Sequence, residues 1–281
     1  MSQPHTEPDQ ITFLIGGLGA GKTELALNLS LWHARRLGPG KAHLLDLDIV
    51  NPFFRVRKVK EDLDRAGVVL VTPDDRVLNG DLPALPARVW GTFEQAGFPI
   101  VCDVGGGELG LRPLARLTDL AGKRPVRVLC VVNPFRPGFL TTDQTLAAMK
   151  RYSELSALTI THLVANPHLT DETTPDLFRS GLARVQEVAA RTGLPLAFAM
   201  MADRLATAFG ESLRPGAPAP FGGEAGPAGA PAAAAETVTG AEFATLDATT
   251  VFVIRRFWDQ PWHLGLPNDS TEATSTVPAG A

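Results

Sequence analysis

Cysteine is nearly missing from this chain of 281 residues, and the two present, Cys102 and Cys130, each lie inside an apolar run. Thiols so placed behave as small hydrophobes, so neither a disulfide framework nor a cysteine-based zinc site is expected. The histidines offer no metal-ligand spacing either. No apolar run approaches the length of a membrane span, so no such span is expected. The first ten residues lack a basic region and an apolar core, which predicts no secretory signal and a cytoplasmic protein. Basic residues are not in excess: 26 Lys and Arg against 30 Asp and Glu give a net charge of -4, and no basic stripe exists to track nucleic acid. Nucleophile-elbow and paired-carboxylate glycosidase patterns are absent too.

What is present is alternation. Short apolar runs at residues 11–15, 43–48, 68–71, 99–103, 126–132, 160–165 and 196–200 are separated by longer stretches, with helices expected near residues 90, 115, 148 and 184. A helix starting near Lys22 would carry Leu25, Leu29 and Trp32 on one face. That alternation predicts an α/β fold, a mostly parallel sheet with helices on both faces. Between residues 211 and 240, 20 of 30 residues are Gly, Ala or Pro. Residues 211–248 are therefore expected to form a flexible insertion, because such a segment buries too little apolar surface to offset its ordering entropy. Residues 249–266, with Val251, Val253, Ile254, Phe257, Trp258 and Trp262, should return and pack on the main domain of 11–210. Residues 1–10 and 267–281 are polar ends expected to stay flexible.

The chemistry is concentrated in Gly16-Gly17-Leu18-Gly19-Ala20-Gly21-Lys22-Thr23, a complete phosphate-binding loop between an apolar strand and an amphipathic helix. Its glycines let the backbone bend around a phosphate without Cβ clashes. Lys22 is expected on an exposed loop, reaching the β- and γ-phosphates, with the Thr23 hydroxyl on Mg²⁺. The amides of the helix's first turn, through Glu24, add favourable partial charge. Lysine and threonine at this spacing exclude the dinucleotide fingerprint.

Two strand ends carry carboxylates. Val101-Cys102-Asp103-Val104-Gly105-Gly106-Gly107 puts Asp103 where a metal-supporting aspartate belongs and Gly106 where an N–H can meet a γ-phosphate; an Asx-type turn is the alternative. Leu45-Asp46-Leu47-Asp48 puts two carboxylates on one face of an extended chain, with Asp48 nearer the phosphates, unless both merely cap the turn at Asn51-Pro52. A loop of this kind, then Asp-Leu-Asp, then Asp-Val-Gly-Gly, resembles the MinD, ParA and CobQ/CobB group of SIMIBI-class P-loop ATPases. Residues 46–57 and 164–174 also look similar to an uncharacterised bacterial ATP-binding family. The resemblance covers about residues 11–205. It implies a P-loop NTPase three-layer sandwich binding ATP and Mg²⁺, with Lys22 and Asp48 catalytic, Asp48 acting on the attacking water, and Thr23 and Asp103 serving the metal. It also implies a protein partner and a homodimer over two nucleotides. One departure bears on the dimer: where many members have a second lysine in the loop, this chain has Gly17.

None of the six lysines sits in the Asn/Thr-Lys-x-Asp setting that reads guanine. Asn166, after the run at 160–165, stands where related ATPases present an amide to adenine, and a turn before Pro167 is the alternative. Asn133-Pro134 has the same ambiguity. Three functions are compatible with these residues: a slowly hydrolysing ATP switch, an ATP-dependent kinase or ligase with an acceptor pocket near Asn51, Arg55 and Arg57, and a non-hydrolysing nucleotide sensor.

Overall fold

The computed structural model describes residues 9–48, 56–72, 87–116, 124–217 and 242–257. Within them a ten-stranded sheet runs in the order β3-β2-β4-β1-β5-β6-β7-β10-β9-β8. Its strands are β1 (Ile11–Gly16), β2 (Ala42–Leu47), β3 (Val68–Val71), β4 (Ile100–Val104), β5 (Val126–Val132), β6 (His162–Ala165), β7 (Leu196–Ala202), β8 (Leu213–Pro215), β9 (Glu242–Leu246) and β10 (Thr249–Ile254). Every pairing from β3 through β10 is parallel; β9 alone is reversed, pairing antiparallel with both β10 and β8.

Parallel strands need covering on both faces. Helices α1 (Lys22–Leu37) and α2 (Val56–Arg65) cover one face, where Leu25, Leu29, Trp32, Val59 and Leu63 pack on Leu14, Leu44, Val101 and Phe198. On the other face lie α3 (Ala87–Glu94), α4 (Glu108–Leu111), α5 (Thr142–Ser156), α6 (Pro175–Thr192) and α7 (Asp203–Phe209). Their Phe93, Tyr152, Phe178 and Phe209 join Phe13, Ile15, Cys102 and Cys130 in the second core layer. The anticipated three-layer α/β sandwich is thus observed. The helix expected near residue 115 is instead the short α4 followed by a 3₁₀ turn, Arg112–Arg116.

The segment expected to be a flexible insertion starts and ends in sheet. Leu213 pairs with Leu246 and Pro215 with Ala244, while residues 218–241 lie outside the described residues. The composition of the whole segment hid strands at its two ends, whose apolar residues Leu213, Phe243 and Leu246 are buried. Phe243 stacks on Phe252 of β10 with ring centroids 4.5 Å apart and meets Trp32 of α1 edge-on at 5.3 Å. β10 returns alongside β7 with Val251, Phe252 and Val253 fully buried. Phe257 is half-buried; Trp258 and Trp262 lie outside the described residues. Among the described residues no helix is long and apolar enough to cross a membrane.

Candidate functional site

Strand β1 lies between β4 and β5, the point at which the strand order reverses. Ligands of open α/β sheets bind at such a point, outside the carboxyl ends of the strands. Residues 16–23 leave β1 there, and the glycines are required by their surroundings. Gly19 and Gly21 have φ of 70° and 96°, in the left-handed region. A methyl at Gly16 would lie 2.4 Å from the Val131 carbonyl oxygen, and one at Gly21 would lie 2.2 Å from Asn166 Nδ2. Gly21 caps α1 with no side-chain hydrogen bond, so the first-turn amides of a 16-residue helix have no side-chain acceptor from their cap. Such a terminus suits an anion.

Lys22 is buried rather than exposed. Its ammonium donates to the Gly17 carbonyl at 2.9 Å and the Gly16 carbonyl at 3.2 Å, folding back over the loop it belongs to. Thr23 and Glu24 are half-buried in the first turn of α1. The Glu24 carboxylate accepts the Phe257 N–H, so the side chain serves the chain beyond β10 and only its backbone belongs to the phosphate loop.

The carboxylates converge on this loop. Because β2 pairs with β4, Asp46 and Asp103 stand directly opposite each other, 4% and 3% exposed. Burial, then the Asp103 charge, raises the Asp46 carboxyl to about 7, against a hydrogen bond from the Asp48 N–H at 3.1 Å that lowers it. Asp48, half-buried, follows β2 with its Oδ1 2.8 Å from the position of a methyl at Gly105. A methyl at Gly106 would lie 3.0 Å from Leu18 Cα and 3.2 Å from Lys22 Nζ. The loop after β4 therefore passes between Asp48 and Lys22, and a side chain at Gly105 or Gly106 would have to displace one of them. A set of close carboxylates next to backbone amides and an ammonium fits a divalent cation carrying a polyphosphate. Among the described residues no group of three or more His, Cys, Asp or Glu lies close enough to hold a metal ion by itself, so the cation would depend on the phosphates for ligands.

On the far side, Asn166 after β6 donates its amide to the Ala20 carbonyl at 2.7 Å. The amide expected to face adenine is thus engaged through its nitrogen with the phosphate loop, a contact invisible in sequence because the partners are 146 positions apart. Two further residues, which sequence reasoning left aside, press on the loop from the turn between β5 and α5. The Phe139 ring fills the space beside Gly17, where a methyl would lie 2.5 Å from its Cε2. Arg136 lies along Gly19. The run Asn133-Pro134-Phe135-Arg136-Pro137 at a strand end was the available signal. Residues 49–55, which hold Asn51 and Arg55, and the side chain of Arg57 lie outside the described residues.

Strand order, loop and helix together define a P-loop NTPase fold. The structure is similar to FtsY of Thermotoga maritima at 17% identity and a TM-score of 0.48, covering 69% of this chain and 62% of that one. It is also similar to chloroplast FtsY of Physcomitrella patens (18%, TM-score 0.47, 71% and 59%) and to FlhF complexed with GTP/Mg²⁺ (16%, TM-score 0.46, 70% and 68%). The chain spans about three fifths of the length of these FtsY chains. Likenesses of this strength add nothing to what the strand order and the loop define. No family model and no curated protein match the chain.

Proposed function

We propose that this chain is a Mg²⁺-dependent ATPase of the MinD, ParA and CobQ/CobB group that works as a switch read by a protein partner. The observation that carries the reading is the convergence on one phosphate loop of Lys22, Asp48 and the Asp46–Asp103 pair. Lys22 would exchange its two carbonyl contacts for β- and γ-phosphate oxygens. Thr23 and Asp103 would hold Mg²⁺, which supplies charge neutralisation. Asp48 would orient the attacking water, and the Gly106 N–H would report whether the γ-phosphate is present. Because the β4 loop is wedged between Asp48 and Lys22, a change at the γ-phosphate reaches the backbone at Gly105 and Gly106.

The base preference is supported by the residues just after β6. Asn166-Pro167-His168-Leu169 has proline and leucine where the guanine-reading motif has lysine and aspartate. The next carboxylate, Asp171, is held by Arg204 at 3.0 Å and Arg256 at 3.1 Å. With its amide nitrogen on Ala20, Asn166 would offer adenine its oxygen as an acceptor for the N6 amine.

Single-turnover phosphate release with Mg-ATP and Mg-GTP, with and without EDTA and a metabolite panel, tests the reading. Slow, Mg²⁺-dependent, acceptor-independent release from ATP is expected. Preference for GTP would overturn the base assignment, and turnover that requires an added acceptor would replace the switch with a kinase or ligase.

A further inference from the structure

The turn between β5 and α5 is more than a connection. The Asn133 side chain accepts the Phe135 N–H at 3.0 Å, and its carbonyl accepts the Arg136 N–H at 3.1 Å. Its amide donates to the His168 carbonyl at 2.9 Å, and the Arg136 carbonyl accepts the Phe139 N–H at 3.0 Å. Two consecutive turns so held fix Arg136 and Phe139 against neighbouring glycines of the phosphate loop. A methyl at Gly19 would lie 3.4 Å from Arg136 Nε and 3.6 Å from its Cζ. That Nε is buried with no hydrogen-bond partner, and no carboxylate among the described residues pairs with the guanidinium. Asp171 is taken by Arg204 and Arg256. Arg136 also helps, after burial and Arg256, to lower His168 to about 4, so its field is felt along the adjoining loop.

A buried guanidinium donor without an acceptor costs free energy unless something supplies one. We infer that Arg136 is a phosphate-binding residue of the nucleotide site, contributing from the same chain a second cation to the polyphosphate held by residues 16–23. The inference rests on the P-loop reading above. Its chemistry suits the role: a guanidinium stays charged when half-buried, and its planar fork matches phosphate oxygens. The placement also bears on Gly17. The position at which related ATPases carry a lysine is closed by Phe139, and two residues further along the loop a cation of the same chain lies beside the backbone.

The test uses the full chain and calorimetric titration with Mg-ATP and Mg-GTP at several ionic strengths. Arg136→Gln should weaken triphosphate binding by about tenfold or more and flatten its salt dependence, whereas Arg136→Lys, which keeps the charge but not the fork, should keep the salt dependence and lose less affinity than the glutamine variant. The melting temperature without nucleotide should hardly differ among the three. If Arg136→Gln binds with wild-type affinity and salt slope while Lys22→Ala fails to bind, Arg136 is no phosphate ligand and the P-loop reading stands. If Lys22→Ala also binds normally, that reading has failed as well. If Gln and Lys variants lose affinity equally and both melt early, Arg136 is a prop for the loop and the inference is overturned.

Discussion

Asp46 and Asp103 face each other across the β2–β4 pair, each almost fully buried. Two carboxylates held so close repel when both are ionised, and in the absence of a cation that repulsion is a cost to folding. Asp46→Asn keeps the shape and an acceptor for the Asp48 N–H. It should stabilise the nucleotide-free protein at pH 8 by roughly 1–2 kcal/mol in chemical unfolding, while weakening the Mg²⁺-dependent part of nucleotide binding. Unchanged stability together with unchanged Mg²⁺ dependence would show that the pair carries no such strain.

Asp48 and Asp103 should separate binding from turnover. Asp48→Ala is expected to keep Mg-ATP affinity and lose most hydrolysis, since positioning a water is a contribution to the transition state alone. Asp103→Ala should instead lower affinity in Mg²⁺ and leave affinity in EDTA unaltered. Nucleotide titrations paired with single-turnover phosphate release distinguish the two, and wild-type hydrolysis by Asp48→Ala would remove the proposed catalytic residue.

Gly17→Ala should destabilise the protein by about 1–3 kcal/mol, because the new methyl meets the Phe139 ring, itself only 6% exposed. Phe139→Leu should recover part of that loss in the double variant while costing stability alone. Additive losses in a double-mutant cycle would mean the two residues do not compete for the same space.

Acid should destabilise the protein through two buried imidazoles. Burial, then Arg36 and Arg127, lowers His33 to about 3, and burial, then Arg124, lowers His43 to about 4. Both folded values lie below the unfolded value of about 6.5, so the unfolded chain binds more protons between them. The stability these neutral rings confer is present above that unfolded value and is lost as pH falls towards the folded ones. His43 stacks on Phe98 at 3.7 Å, so His43→Phe should keep the packing and make the melting temperature fall less steeply between pH 6.5 and 4. An identical pH profile would locate the acid sensitivity elsewhere.

Replacing residues 218–241 by a short Gly/Ser turn should leave the melting temperature nearly unchanged. The flanking backbone is already closed, since the Gly216 and Ala217 N–H groups both donate to the Phe243 carbonyl. Loop-length entropy varies slowly. A deletion extended to residue 211 should be far worse, because it removes β8 and the buried Leu213. Equal melting of the two deletions would count against the β8–β9 pairing.

How much of this was legible in the sequence depends on the range of each signal. Val68–Val71 and Val126–Val132 were readable to the residue, because a short apolar run flanked by polar residues has few alternatives. The phosphate loop was readable because all its requirements lie within eight neighbouring positions. Residues related through strand order were not: Asp46 meets Asp103 only because β4 inserts between β2 and β1. The engagement of Asn166 with Ala20, and of Phe139 with Gly17, depends on the same three-dimensional ordering. Lys22 was misplaced for a related reason. Sequence shows a lysine in a glycine loop, and only the folded loop brings its own carbonyls around the ammonium.

The chain beyond β10 is tied to the helix that begins at the phosphate loop. Asn28 of α1 exchanges two hydrogen bonds of 2.9 Å with the backbone of Arg255, and Glu24 accepts the Phe257 N–H. A fluorophore attached near Phe257 would thus sit beside the first turn of α1. Both native thiols are fully buried, with Cys130 raised to about 12 and Cys102 raised well above its usual value, so neither competes for a maleimide. One engineered cysteine after β10 would therefore be the sole labelling position, and its emission would register nucleotide exchange in otherwise unmodified protein.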